Sequence, residues 1–154
     1  MRVADTQNRG GYTHAYRLRV TQGAPDVALR ATPSSLNARV GGSASVTVHA
    51  LRLDGFAGPI QVELVDPPKG VRLKNDTIPA GEESARLGLE IPARPTEEPL
   101  SLSLRGRIAW DGGDPVTVDV LPAEGMTQAF ILKHLVPVDR LLLDVRPAVE
   151  SEDR

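Results

Sequence analysis

The 154 residues contain no cysteine. That removes a disulfide framework, a thiolate zinc site and a cysteine nucleophile in one step. Aromatic side chains are scarce, with two Tyr, two Phe and one Trp, so the whole set is Tyr12, Tyr16, Phe56, Trp110 and Phe130. No apolar run approaches the ~18–20 residues of a membrane span, which excludes membrane insertion by a helix. No charge of one sign dominates, because 18 basic against 20 acidic residues leave a net −2. Arg30, Arg52, Arg72 and Arg86 are scattered singly, and a dispersed, balanced charge gives no electrostatic case for nucleic acid. The polar stretch from Met1 to Gly11 lacks the apolar h-region of a secretory signal. A piece of a longer exported polypeptide is the expectation, and a cytosolic chain is the alternative.

Punctuation is plentiful. Thirteen prolines and fourteen glycines are spread along the chain, in turns such as Gln22-Gly23-Ala24-Pro25, Gly41-Gly42, Asp54-Gly55, Pro67-Pro68, Pro79-Ala80-Gly81 and Asp111-Gly112-Gly113-Asp114-Pro115. Between the turns the apolar residues recur with a period of two. Tyr16, Leu18 and Val20 alternate with Arg17, Arg19 and Thr21; Val46, Val48 and Ala50 oppose Ser45, Thr47 and His49. Ala85, Leu87, Leu89 and Ile91 follow the same rule, as do Leu100, Leu102, Leu104, Ile108 and Trp110, and then Val116, Val118 and Val120. One apolar face per segment is what a half-buried antiparallel strand requires. Short strands at such spacing predict an all-β chain, a sandwich or a barrel.

Two irregularities stand out. After Ala50 the apolar parity passes to Leu51 and Leu53, which predicts a β-bulge near residues 50–52. Gly106 falls on the inward face of the longest strand, where it makes room for a neighbouring side chain or marks a bend. From Met126 to Val136 the periodicity fits a short helix or a strand equally. Phe130-Ile131-Leu132 and Leu141-Leu142-Leu143-Asp144-Val145, with Pro137 and Asp139-Arg140 between them, are read as a C-terminal hairpin.

The segment from Pro33 to Leu121 resembles the immunoglobulin-like modules of bacterial secreted and cell-surface proteins. The residues that carry it are Leu36-Asn37-Ala38-Arg39-Val40-Gly41-Gly42-Ser43, Asp54-Gly55-Phe56-Ala57-Gly58-Pro59-Ile60, Pro67-Pro68-Lys69-Gly70-Val71, Ile78-Pro79-Ala80-Gly81 and Ala85-Arg86-Leu87-Gly88-Leu89. Upstream, Gly10-Gly11-Tyr12 with Tyr16-Arg17-Leu18-Arg19-Val20 looks like the last strand of a pre-peptidase C-terminal type domain. The resemblance implies an immunoglobulin-like or fibronectin III-like antiparallel β-sandwich with Greek-key connections plus a C-terminal hairpin. It divides the chain into an N-terminal strand segment over residues 1–25, the sandwich over 26–122, the hairpin packed on it over 123–147 and a disordered tail over 148–154. It also implies a non-catalytic role as spacer or adhesion and assembly module, outside the cell, on its surface or in the periplasm. The partners it implies are neighbouring domains of the same polypeptide or another protein.

The residues themselves assign no catalytic, cofactor-binding or metal-ligating group and no cofactor. His14, His49 and His134 lie in no helical His pair and in no carboxylate motif, so surface or cross-strand roles are expected. Gly41-Gly42-Ser43-Ala44-Ser45 lacks the second glycine and the helix of a nucleophile elbow. Asp111 and Asp114 could offer carboxylates to Ca²⁺, but two do not supply six to eight oxygens, and a hairpin turn explains the same residues. An accessory carbohydrate-binding module is the alternative function, since aromatic platforms suit sugar faces. Trp110 and Tyr16 are expected in the core by parity and Phe56 is expected to plug the end of the sandwich, leaving Tyr12 exposed. The outward Arg17, Arg19, Arg86, Arg105 and Arg107 are expected in cross-strand pairs with carboxylates such as Glu63, Glu90 and Asp119. A hydrolase is the least favoured reading, because no Ser/His/Asp or paired-carboxylate motif is present.

Overall fold

The computed structural model describes Gly11 and residues 25–53, 55–128 and 132–148. The expected strand at 16–20, the placements of His14, Tyr12, Tyr16, Arg17, Arg19 and Phe130, and the tail beyond Ala148 lie outside the described residues. Among the described residues there are eleven strands and no helix. The chain is all-β, as the period-two alternation requires.

Strands β1 (Asp26–Thr32), β3 (Ser43–Leu53), β7 (Ser84–Glu90) and β5 (Arg72–Lys74) form one layer, paired antiparallel in that order. The other layer centres on β8 (Leu100–Ile108), which pairs with β4 (Ile60–Val65) on one side. Strands β9 (Val116–Gln128) and β11 (Leu141–Arg146) pair with it in succession. The short β6 (Thr77–Ile78) extends this layer beyond β4, and β2 (Ser35–Arg39) extends it beyond β11. From β2 to β8 successive strands alternate between layers, which is the Greek-key pattern of a sandwich. Two pairings are parallel, β1 with β9 and β2 with β11. The first of these joins the layers along one side, and the sheet as a whole does not close into a barrel.

The inward faces meet in one core. Leu29, Val46, Val48 and Leu87 come from the first layer, and Ile60, Val62, Ile108, Leu141, Leu143 and Val145 from the second. Every buried side chain among the described residues is apolar, so polar groups are left to the backbone ladders and the rim. Gly106 lies among them, and a Cβ at that position would overlap Leu29 Cδ1 and stand 3.1 Å from Ile60 Cγ2. It makes room for neighbours, as its parity suggested.

Three local expectations are corrected. No bulge interrupts β3, because its register with β1 runs one-to-one from Asp26↔Leu53 to Thr32↔Thr47. Parity is kept and the inward position after Ala50 goes to Arg52, which turns Leu51 outward at 61% exposure. Residues 126–128 and 132–136 are strand, and the hairpin pairs β9 with β10 (Leu132–Pro137), from Gln128↔Leu132 to Ala123↔Pro137. Leu141–Leu143 face Leu102–Leu100 of β8 while Leu132 pairs with Gln128; Phe130 and Ile131 lie outside the described residues. The reason is that β8 needs a partner after β9 departs, and Leu141, Leu143 and Val145 complete the core. Trp110 lies past the end of β8 and is half-buried outside the core, because strand parity stops dictating orientation where the ladder stops.

Replacing Gly106 by alanine should overpack the junction with Leu29 and Ile60 and cost about 1–3 kcal/mol. Urea unfolding of Gly106→Ala beside the parent measures it, and an unchanged midpoint would mean that Leu29 yields without cost.

Candidate interaction surface

Chemistry at the surface begins where β9 leaves the sandwich. Val120 still faces Leu104 of β8 and Leu29 of β1. From Ala123 onward β9 pairs only with β10, so the two strands form a ribbon beside the sandwich. Its base is closed by the Val138 amide, which donates to the Pro122 carbonyl at 2.8 Å. The Glu124 carboxylate ties it to the segment between β1 and β2, accepting from the Ser34 amide at 2.9 Å and from the Ser34 hydroxyl. The Ser34 carbonyl in turn accepts from the Leu142 amide at 2.8 Å. One carboxylate thus links the ribbon, the strand switch and β11.

Ribbon and first layer enclose a groove of about 570 Å³ whose walls include Ala28, Arg30, His49, Leu51, Glu83 and Leu135. Of the large exposed apolar side chains among the described residues, Leu51 and Leu135 line it. Met126 and Val136 fall on the opposite face of the ribbon from Leu135, and Leu121 borders a separate hollow with Arg105 and Asp119. Exposed apolar side chains lining a groove are characteristic of a contact surface. Two of the groove's ionisable side chains are held by neighbours on β1. His49 Nε2 is 2.9 Å from the Thr32 hydroxyl, and the Arg30 guanidinium donates to the Leu29 carbonyl at 2.9 Å. His134 is exposed on β10 opposite Met126, away from His49 in the register.

The groove reaches Arg52 and Gly81 at the loop end of the sandwich. Arg52, at the inward position that ends the core, donates to the carbonyls of Gly58, Pro79 (2.9 Å) and Glu82 (3.0 Å). Its guanidinium carbon stands 5.5 Å from the Phe56 ring centroid, within cation–π range. Phe56 is half-buried against the core and plugs the end as its Gly-rich loop implied. The sequence shows Arg52 only as one of several singly scattered arginines, and the signal for its role is its place two residues after the inward Ala50.

The remaining candidates behave as turn and ladder residues. Gly41, with φ +65°, takes the left-handed position of the turn between β2 and β3, and Ser45 Oγ accepts from Arg86 Nε at 2.8 Å. Arg105 pairs with Asp119 at 3.1 Å across β8 and β9, with Glu63 opposite on β4. Glu90 pairs with Lys74. Among the described residues no three His, Asp or Glu side chains cluster as a metal would need. Asp111 and Asp114 flank the turn over which the Trp110 ring lies, and Trp110 Nε1 donates to the Asp114 carbonyl at 3.0 Å.

No family model matches the chain and no curated protein matches it. Two solved structures are similar to it at low identity. A protein of unknown function from Porphyromonas gingivalis W83 aligns with 15% identity and a TM-score of 0.41, over 81% of this chain and 50% of that one. Domains 4 and 5 of the S-layer protein SbsC align with 15% identity and a TM-score of 0.39, over 73% of this chain and 61% of that one. The chain therefore spans half to three-fifths of the length of these structures.

Two outcomes are expected. Arg52→Met removes three carbonyl contacts at the rim and should cost about 1–3 kcal/mol, whereas Leu51→Ser should change stability by less than about 0.5 kcal/mol; paired urea titrations compare them. The Ser34 hydrogen bonds hold the Glu124 carboxyl below the usual carboxylate range. A depressed folded-state value means its contribution is present at neutral pH and lost as pH falls below the ordinary glutamate value of about 4.3. Amide protection in the ribbon, the observed exchange rate set against the intrinsic rate at the same pH, should then fall below that pH in the parent, and Glu124→Gln should show low protection at neutral pH. Slow exchange in the variant would show that the ribbon does not depend on this carboxylate.

Proposed function

We propose that this sandwich is a non-catalytic structural and interaction module of a larger exported bacterial polypeptide. It acts as a spacer whose ribbon and groove contact a protein partner or a neighbouring domain, outside the cell, on its surface or in the periplasm. The observation that carries the reading is where the chain enters and leaves. Leu29 is level with Val120, which faces Leu104 of β8, while Leu143 faces Leu100. Asp26 and Arg146 each lie three residues farther out, toward opposite ends. About ten residue rises separate them along β8, or roughly 33 Å at ~3.3 Å per residue. A module that admits the chain at one end and releases it at the other adds length when repeated or joined to others.

The rim chemistry supports the same reading. The ionisable groups that make contacts are engaged in ladder pairs, turn carbonyls or the ribbon tie, and surface pairs of that type contribute little beyond solubility and register. Carbohydrate binding keeps one specific observation in its favour, the half-exposed Trp110 at the loop end. One face of that ring lies on Gly112, and Phe56 sits against the core, which leaves no flat aromatic pair among the described residues.

Small-angle scattering on one copy and on two copies joined in tandem tests the spacer role. The maximum dimension is expected to grow by about one sandwich length, roughly 33 Å or more, per added copy. A tandem that folds back to the compactness of a single body would remove the support for a spacer. Retention on a glycan array through Trp110, lost in Trp110→Ala, would favour the carbohydrate alternative.

A further inference from the structure

We propose that the Asp114–Pro115 peptide bond is a self-cleavage site, with the Asp114 carboxyl as nucleophile and the Trp110 indole stabilising the reacting carbonyl. This activity goes beyond the spacer role and does not depend on it. The loop between β8 and β9 is built around one contact, the Trp110 Nε1–H donating to the Asp114 carbonyl oxygen at 3.0 Å. The donor already sits on the oxygen where charge would gather as that carbonyl is attacked, the kind of placement by which N–H groups stabilise a developing oxyanion. Gly112 makes the contact possible. A Cβ there would overlap the six-membered ring of Trp110, while one on Gly113 would stand 3.4 Å from Cζ2, in ordinary contact. With no side chain at Gly112, the indole lies across the turn and reaches the carbonyl of the second aspartate. That carbonyl belongs to the bond joining the chain to Pro115.

The chemistry at this bond is intramolecular. The Asp114 side chain can close a five-membered ring on its own carbonyl carbon, and well-placed neighbours of this type gain effective molarities on the order of 10⁵ M or more. One carboxyl oxygen forms a bond to the carbonyl carbon, and charge gathers on the oxygen held by Trp110. The carboxyl proton passes to the proline nitrogen, which leaves as a secondary amine as the C–N bond breaks. The resulting cyclic anhydride is opened by water, giving Asp114 as a new C-terminus and Pro115 as a new N-terminus. No oxidant, metal or second substrate enters. Asp111, Asp114 and Pro115 are exposed, so water reaches the second step. The cut falls in a loop, while β8 and β9 remain paired from Leu104↔Val120 to Ile108↔Val116. The product is a nicked sandwich in which covalent continuity ends at the loop.

The chain carries its own comparison. Asp66–Pro67 is a second aspartyl-prolyl bond on an exposed turn, and among the described residues no side chain donates to the Asp66 carbonyl. The full chain is incubated in mildly acidic buffer and both cuts are followed by intact mass. Cleavage after Asp114 is expected to outrun cleavage after Asp66 on the order of tenfold in the folded chain, and the ratio should fall to near unity in urea. Trp110→Phe should slow the Asp114 cut toward the Asp66 rate and leave the Asp66 cut unchanged, and Asp114→Asn should abolish it. An indole that merely braced the turn would give the opposite sign, since its loss would loosen the loop and speed the cut. Equal rates in the folded parent, a ratio that persists in urea, or a faster cut in Trp110→Phe overturns the proposal.

Discussion

Everything in this fold is placed by the way β8 shares its ladder. One side of the strand is filled by β4. The other is divided between β9, which holds Leu104 to Ile108, and β11, which holds Leu100 to Leu102. A strand has only two edges, so when β11 takes the last residues β9 must leave. The departing half of β9 cannot remain unpaired, because its amides and carbonyls need partners. It folds back on β10, and the ribbon is the consequence. The groove beside the ribbon and the Glu124 tie to Ser34 both follow from that exchange.

The core imposes a second division. With only apolar side chains buried, polar function is confined to the rim, and the rim is where the two most engaged side chains lie. Arg52 spends its guanidinium on three loop carbonyls, and Trp110 its indole N–H on a fourth. Both stand at ends of strands, on the side where the chain enters. In each case a side chain supplies the donor that a longer ladder would have supplied from the backbone. Exposed ion pairs such as Arg105–Asp119 add register rather than much stability.

Much of this was legible in the sequence, and the failures lie where the ladder or the core ends and where the assembled sheet decides the pairing. The alternation of Val46, Val48 and Ala50, or of Leu100, Leu102 and Leu104, reports which face is inward because the ladder holds each residue in phase. The space at Gly106 was readable for the same reason, and the plug at Phe56 from its place in a Gly-rich loop. Arg52 and Trp110 were misread because the rule that apolar means inward applies only while the ladder and the core both continue. At residue 52 the core ends and carbonyls begin; at residue 110 the ladder has ended. The hairpin was misassigned because pairing depends on which strand edge is vacant, a property of the assembled sheet that no local pattern encodes. The Glu124–Ser34 tie spans ninety residues of sequence and had no signal at all.

The parallel pairs connect this geometry to load. The first strands and the last strand run in the same direction, β1 beside β9 and β2 beside β11. A pull applied at Asp26 and Arg146 acts along the strands and in opposite directions across these pairs. It therefore loads their hydrogen bonds together in shear instead of opening them one at a time from an end. Resistance to such a pull is set by the rate of unfolding rather than by equilibrium stability, and five consecutive register pairs between β2 and β11 share it. The ribbon stays outside the line of force, since it leaves the chain after Pro122 and returns before Leu141. Contacts made by the ribbon would form or break without lengthening that path, so the proposed spacer and contact roles fall on different parts of one small sandwich.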